Sequence, residues 1–131
     1  MENRYLFRGK RKDNGKWVQG YLYGIWERRY ILWGMTNDIP NMVEADPSTV
    51  CRCTGRKDKN GKLIYENDIV AYWDTYSTDN GQSEADCIGK VVWDDETISF
   101  QVTNRLSAES YEVLDDECSV VGNAIDNPEL L

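Results

Sequence analysis

Residues 87–102 read CIGKVVWDDETISFQV. Cys87 to Trp93 is rich in residues that favour extended backbone. Asp94-Asp95-Glu96-Thr97 is a polar turn, since short acidic side chains bond back to their own backbone. From Thr97 to Val102 the chain alternates, with Ile98, Phe100 and Val102 on one side and Thr97, Ser99 and Gln101 on the other. A period of two marks a half-buried antiparallel strand. The stretch is a strand–turn–strand unit.

The same unit recurs on both sides. Arg4 to Arg8 is a short apolar run with charged flanks. Trp17 to Gly24 and Arg29 to Trp33 read as strands joined by a hairpin through Trp26-Glu27-Arg28. Gly20 and Gly24 point to bulges or close backbone approach. Asn14-Gly15 and Asn60-Gly61 supply the positive-φ residues of tight turns. Gly34 to Pro47 reads as a loop with a short strand near Met42 to Ala45, and Asp46 caps a single turn begun by Pro47. Leu63 leads into a strand through Trp73, and Asp74 to Glu84 reads as a polar loop. Leu114 to Glu117 reads as one helical turn and Cys118 to Val121 as a last strand. No segment sustains a helical period. The expected fold is mainly β, a small antiparallel barrel or sandwich with at most one or two short helices. Ile69, Val70, Val91, Val92, Ile98, Phe100, Val102 and Val121 are expected in the second-half core, and Trp17, Leu22, Ile31 and Trp33 in the first.

The chain has 131 residues, enough for one domain with two subdomains. Its net charge of -8 argues against a general nucleic-acid binder. No apolar run approaches a membrane span, and the start, MENRYLFRGKRKDNGKW, lacks the apolar stretch of a secretory signal. A cytosolic location without membrane contact is expected. Charge is divided along the chain. Met1 to Tyr65 carries 13 basic and 7 acidic residues, and Glu66 to Leu131 carries 2 basic and 16 acidic. Such a division fits halves that attract one another, neighbouring copies that do so, or oppositely charged partners.

Cys51, Cys53, Cys87 and Cys118 lack the C-x-x-C spacing of a zinc site. Cys51 and Cys53 share one face of a strand, where they act as small hydrophobes. Free thiols, no metal and no cofactor are expected. The chain contains no His, so histidine acid–base chemistry and histidine metal ligation are excluded. No glycine-rich phosphate loop or nucleophile elbow is present, and no catalytic residue is assigned. The clusters Asp94-Asp95-Glu96 and Asp115-Asp116-Glu117 lack calcium-loop spacing and read first as solvated turns. Arg8, Lys10, Arg11, Lys12 and Lys16 are candidate phosphate contacts. Trp17, Tyr21, Tyr23, Trp26, Tyr30 and Trp33 crowd the residues that follow. Aromatics so placed either stack bases or fill a core and interface.

Three blocks carry a resemblance. The first runs from Tyr5 to Tyr23, with Phe7-Arg8, a turn, then Trp17-Val18-x-Gly20-Tyr21. The second is Thr54-Gly55-x-Lys57-Asp58-Lys59-Asn60-Gly61-Lys62-x-Ile64-Tyr65-Glu66-x-Asp68-Ile69-Val70. The third is Val121-Gly122-Asn123, followed by Asn127-Pro128-Glu129-Leu130-Leu131. Together they resemble the YopX family, small proteins encoded in phages and prophages. Asn67 stands where the family pattern usually has Gly, and Arg52-Cys53 where Gln-Tyr is typical. The resemblance implies an N-terminal β subdomain over residues 1–62 and an SH3-like barrel over 63–131. It brings no catalytic residue or activity, and it implies a bacterial host cytosol.

Three functional readings follow. The first is a non-enzymatic accessory protein that binds a host or phage protein, or associates with itself. In a variant of it, Asp94, Asp95, Glu96, Glu109, Glu112, Asp115, Asp116 and Glu117 present an acidic surface to a DNA-binding protein. The second is nucleic-acid binding by the basic, aromatic first half. The third is an enzyme whose carboxylate pair or metal is not visible in sequence spacing.

Overall fold

The computed structural model describes residues 5–78, 81–104, 107–112 and 117–131. Side chains are described for all of these except 73–78, 81–87, 104 and 107–112. Two compact units divide the chain, Met1–Gly55 and Arg56–Leu131. Both are antiparallel β, and no helix among the described residues reaches seven residues.

The first unit is a meander. β1 (Phe7–Lys10) pairs with β2 (Trp17–Ile25), β2 with β3 (Arg28–Thr36), and β3 with β4 (Ile39–Ala45). Its turns are the local chemistry of the sequence. Gly15 adopts a φ of 71° and its N–H bonds the carbonyl of Arg11. Asn37 and Asp38 both take positive φ between β3 and β4, as tight hairpins require. The Asp46 carboxylate accepts from the Ser48 N–H and caps the 3₁₀ turn Pro47–Thr49. The chain then returns as β5 (Cys51–Lys57), whose first residues lie beside β1. The strand near Met42 to Ala45 starts earlier than sequence indicates, at Ile39.

One face of this sheet is interior. Ile31 and Ala45 are fully buried there, with Gly9 and Gly20. A Cβ at Gly20 would lie 2.0 Å from the Leu32 carbonyl oxygen, so backbone crosses backbone at that point. A bridge between Arg11 and Ala45 draws the end of β4 toward the end of β1. Buried Thr49 accepts from the Lys10 N–H and donates to the Asp46 carbonyl, so its hydroxyl is satisfied in both directions.

The second unit begins with the Asp58–Lys62 turn and β6 (Leu63–Tyr65). β7 (Asp68–Thr78), β8 (Gly81–Asp94), β9 (Ser99–Asn104), β10 (Ser107–Glu112) and β11 (Ser119–Asn123) follow. The last five form one sheet in the order β10-β9-β8-β7-β11. Among the described residues the strands form no closed barrel, where the resemblance implies an SH3-like one. Within the stretch read as a loop, Asp74–Thr78 and Gly81–Glu84 are strand. β7 and β8 stay paired from Ile69↔Lys90 to Thr78↔Gly81, because Thr and Tyr favour extended backbone even where no apolar period is sustained. Ile64, Val70, Val91, Val102 and Cys118 form the core, with Tyr72, Phe100 and Val120 packed against it.

Several core expectations fail. Trp17 lies half-buried on the face of the first sheet opposite to Ile31, paired with Lys10. Ile98 is 74% exposed in the β8–β9 turn, where it takes a φ of 54°. Val121 is exposed because a register shift between Val120 and Gly122 turns Val120 inward instead. Trp33 is exposed next to the register shift of β3 on β4. The Leu114–Glu117 turn falls largely outside the described residues.

Candidate binding face on the first unit

Residues directly opposite one another in an antiparallel pair share a face. Register therefore composes the outer face of the first unit row by row. Lys10 lies opposite Trp17, and Arg8 opposite Gln19. Next comes Tyr21–Leu32–Met42, then Tyr23–Tyr30–Glu44, then Ile25–Arg28. Trp26 and Glu27 form the two-residue loop at the end. Tyr21, Ile25, Tyr23 and Met42 are exposed, the last two at 48% and 52%, and Trp26 reaches 90%. The Tyr23 and Tyr30 rings sit 6.1 Å apart. An apolar surface this continuous is unusual on a solvated sheet.

The loop is locked from within. Arg29 Nη1 donates to the carbonyls of Trp26, at 3.0 Å, and Arg28, at 2.9 Å. A Cβ at Gly24 would come within 3.3 Å of that guanidinium, so glycine lets the Arg29 side chain cross the strand. Trp26 sits at a φ of 53°. Tight hairpin loops favour Asn or Gly there, and a bulky residue in the left-handed region costs on the order of 1–2 kcal/mol. Arg28 lies near Tyr30 and Glu44, whose electrostatic influence, Tyr30's first, raises its guanidinium above the ordinary arginine range.

The candidate phosphate contacts are placed as follows. Arg8 and Lys10 lie over the Trp17 ring, 4.8 and 5.4 Å from its centroid. Arg11 makes a two-pronged bond to Asp13, at 2.9 and 2.7 Å, and this bond raises its guanidinium while lowering the Asp13 carboxyl. Lys12 pairs with Glu44 at 3.0 Å. Lys16 lies exposed before β2, its N–H on the Asn14 side chain. Only Arg8 and Lys10 share the aromatic face by register.

Of the acidic candidates, Asp94 accepts from the Glu96 N–H and the Thr97 hydroxyl, and Asp95 from the Trp93 indole at 2.7 Å. Those carboxylates build their own turn, as Asx residues commonly do. Glu96 and Glu117 are exposed, and Asp115 and Asp116 lie outside the described residues. Among the described residues no group of three or more His, Cys, Asp or Glu could hold a metal ion. Cys51, Cys53 and Cys118 are free and buried. No helix among the described residues is long and apolar enough to cross a membrane.

The most distinctive sequence block turns out to be architectural. Buried Asp58 receives the N–H groups of Asn60 and Lys62 on one oxygen and that of Val120 on the other. Asp68, also buried, receives the Tyr65 N–H at 2.7 Å around a turn in which Asn67 takes a φ of 71°. In the third block the Asn123 side chain accepts from Ile125 and Asp126, and Asn127 accepts from the Asn123 N–H.

Sequence reasoning singled out the aromatic cluster but not Ile25, Met42 or the pinning by Arg29. The odd-numbered run Tyr21, Tyr23, Ile25 was the available signal, since three large apolar residues two apart occupy one face. A family model described as YopX protein matches residues 6–131. No curated protein matches the chain.

Proposed function

We propose, on the premise that this chain belongs to the YopX family, that it is a non-enzymatic protein-docking module acting in phage or prophage biology inside the host cell. The outer face of the first unit is its binding surface. The observation that carries this reading is the run of exposed Tyr21, Tyr23, Ile25, Trp26 and Met42 along one sheet face and its terminal loop. Tyr, Trp and Met are the residues enriched at the centre of protein interfaces, where large stiff side chains bury much area at low entropic cost. Arg28 and Glu44 supply a polar rim beside them.

Nucleic-acid binding is the second reading, supported by Trp17 with Arg8 and Lys10. Two features favour protein over nucleic acid. The cations nearest Trp17 already lie on its ring, and Arg11 and Lys12 already face carboxylates of their own unit. Affinity capture from host lysate separates the readings. Proteins retained by the wild-type chain, and lost with the Tyr21→Ser/Tyr23→Ser variant, are the expected result. Salt-sensitive retention of single-stranded nucleic acid, lost with Arg8→Gln/Lys10→Gln, would overturn it.

A further inference from the structure

Trp26 combines three properties that stability alone does not select. It is almost fully exposed, it holds a backbone conformation that glycine or asparagine would hold at lower cost, and Arg29 and Gly24 are arranged to fix its loop. An apolar side chain kept outward on a rigid tip is built to be covered by something else.

We infer that a second copy of this chain covers it, and that Trp26 with the rows Tyr21–Met42 and Tyr23–Glu44 is a self-association interface. The inference rests on the docking reading above and names its occupant. Area is the first argument. With ~150–250 Å² for a fully buried aromatic side chain, Trp26, Tyr21, Tyr23, Ile25 and Met42 offer roughly 500 Å² per copy. That is most of the ~800 Å² per partner that a standard interface buries, before any rim is counted.

Charge is the second argument. Unit Met1–Gly55 carries 9 basic and 6 acidic residues, net +3, whereas Arg56–Leu131 carries 6 basic and 17 acidic, net -11. The first unit is thus much closer to neutral than the second, so its own copy repels it less. The rim of the face holds both signs, Arg28 beside Glu44 and next to Glu27 in the loop. A two-fold contact brings each surface against itself, so a mixed rim complements its own image, with Arg28 of one copy facing Glu27 of the other. A single-sign partner would leave half of that rim mismatched.

The test is the mass of the purified full-length chain by light scattering at micromolar concentration. The expected mass is twice 15.2 kDa. Trp26→Gly should return it to one chain, or weaken association at least tenfold, while its melting temperature stays level or rises because the loop is relieved. A second variant, Met42→Ser, should weaken association without changing the circular dichroism. A wild-type mass of one chain overturns the inference. So does a dimer that survives both substitutions. A single-chain mass with lysate capture still lost in Tyr21→Ser/Tyr23→Ser removes the second copy as occupant and leaves the docking reading standing.

Discussion

The Asp58 carboxylate accepts the Val120 N–H at 2.9 Å across 62 residues of sequence. Its other oxygen holds the turn that follows it. One side chain thus joins the start of the second unit to its last strand, and the Lys59 N–H on the Cys118 carbonyl reinforces the seam. Replacing Asp58 with Ala removes the buried acceptor of three part-buried backbone hydrogen bonds. Each such loss costs ~1–3 kcal/mol. Asp58→Ala should therefore destabilise the second unit by at least about 2 kcal/mol in urea unfolding. A change below about 0.5 kcal/mol, typical of a surface substitution, would show that the clamp is dispensable.

The same group sets an acid sensitivity. Burial pushes the Asp58 carboxyl up, but the N–H groups of Val120, Lys62 and Asn60, with the Lys62 charge, outweigh it and leave it below the usual carboxylate range. A depressed folded value means that the stabilisation is complete above the unfolded value, about 3.9. It is lost as pH falls through the folded value. Stability of the wild type should drop on acidification below about pH 4, and the drop should be smaller in Asp58→Asn. Equal acid dependence in the two proteins would refute the assignment.

Two residues in the left-handed region carry opposite expectations. Asn67 sits at a φ of 71°, a region that asparagine tolerates better than most residues because a short amide side chain can bond locally. Asn67→Gly should be nearly neutral and Asn67→Val clearly destabilising. Ile98, at 54°, is β-branched and exposed. Ile98→Gly should raise thermal stability by the equivalent of about 1 kcal/mol. Thermal melts of the three variants decide both points.

Cys51, Cys53 and Cys118 are buried, and the Cys51 thiol donates to the Thr49 carbonyl at 3.2 Å. Thiol reagents need exposed thiolate. Peptide mapping after brief alkylation of the native protein should find these three unmodified, and fully modified in denaturant. Rapid native labelling of Cys51 or Cys53 would contradict their burial.

Turn chemistry was the most legible part of the sequence. Asn14-Gly15, Asn60-Gly61 and the Asp46 cap each carry their geometry in two or three adjacent residues, so nothing distant has to be known. Val91, Val70 and Val102 were legible as core for the related reason that a period of two needs a buried side. What failed depended on register. Ile98 and Val121 fit the alternation but sit at a turn and a strand irregularity, where one residue's shift reverses the face. The β7–β8 pairing over Thr75 to Thr78 was illegible because Tyr76 stands alone among small polar residues and no apolar alternation develops. For the binding face, sequence supplied the aromatics, but their assembly into rows needed the pairing of three strands.

β4 is an outer strand of its sheet, and outer strands invite indefinite growth by pairing with like strands. Here Pro40 lacks an N–H to offer, and the Leu32–Met35 irregularity twists the strand it borders. Strand-to-strand polymerisation along that border is thereby frustrated, while the flat side of the sheet remains available. At that border, growth of the sheet by addition of like strands stops at the first copy.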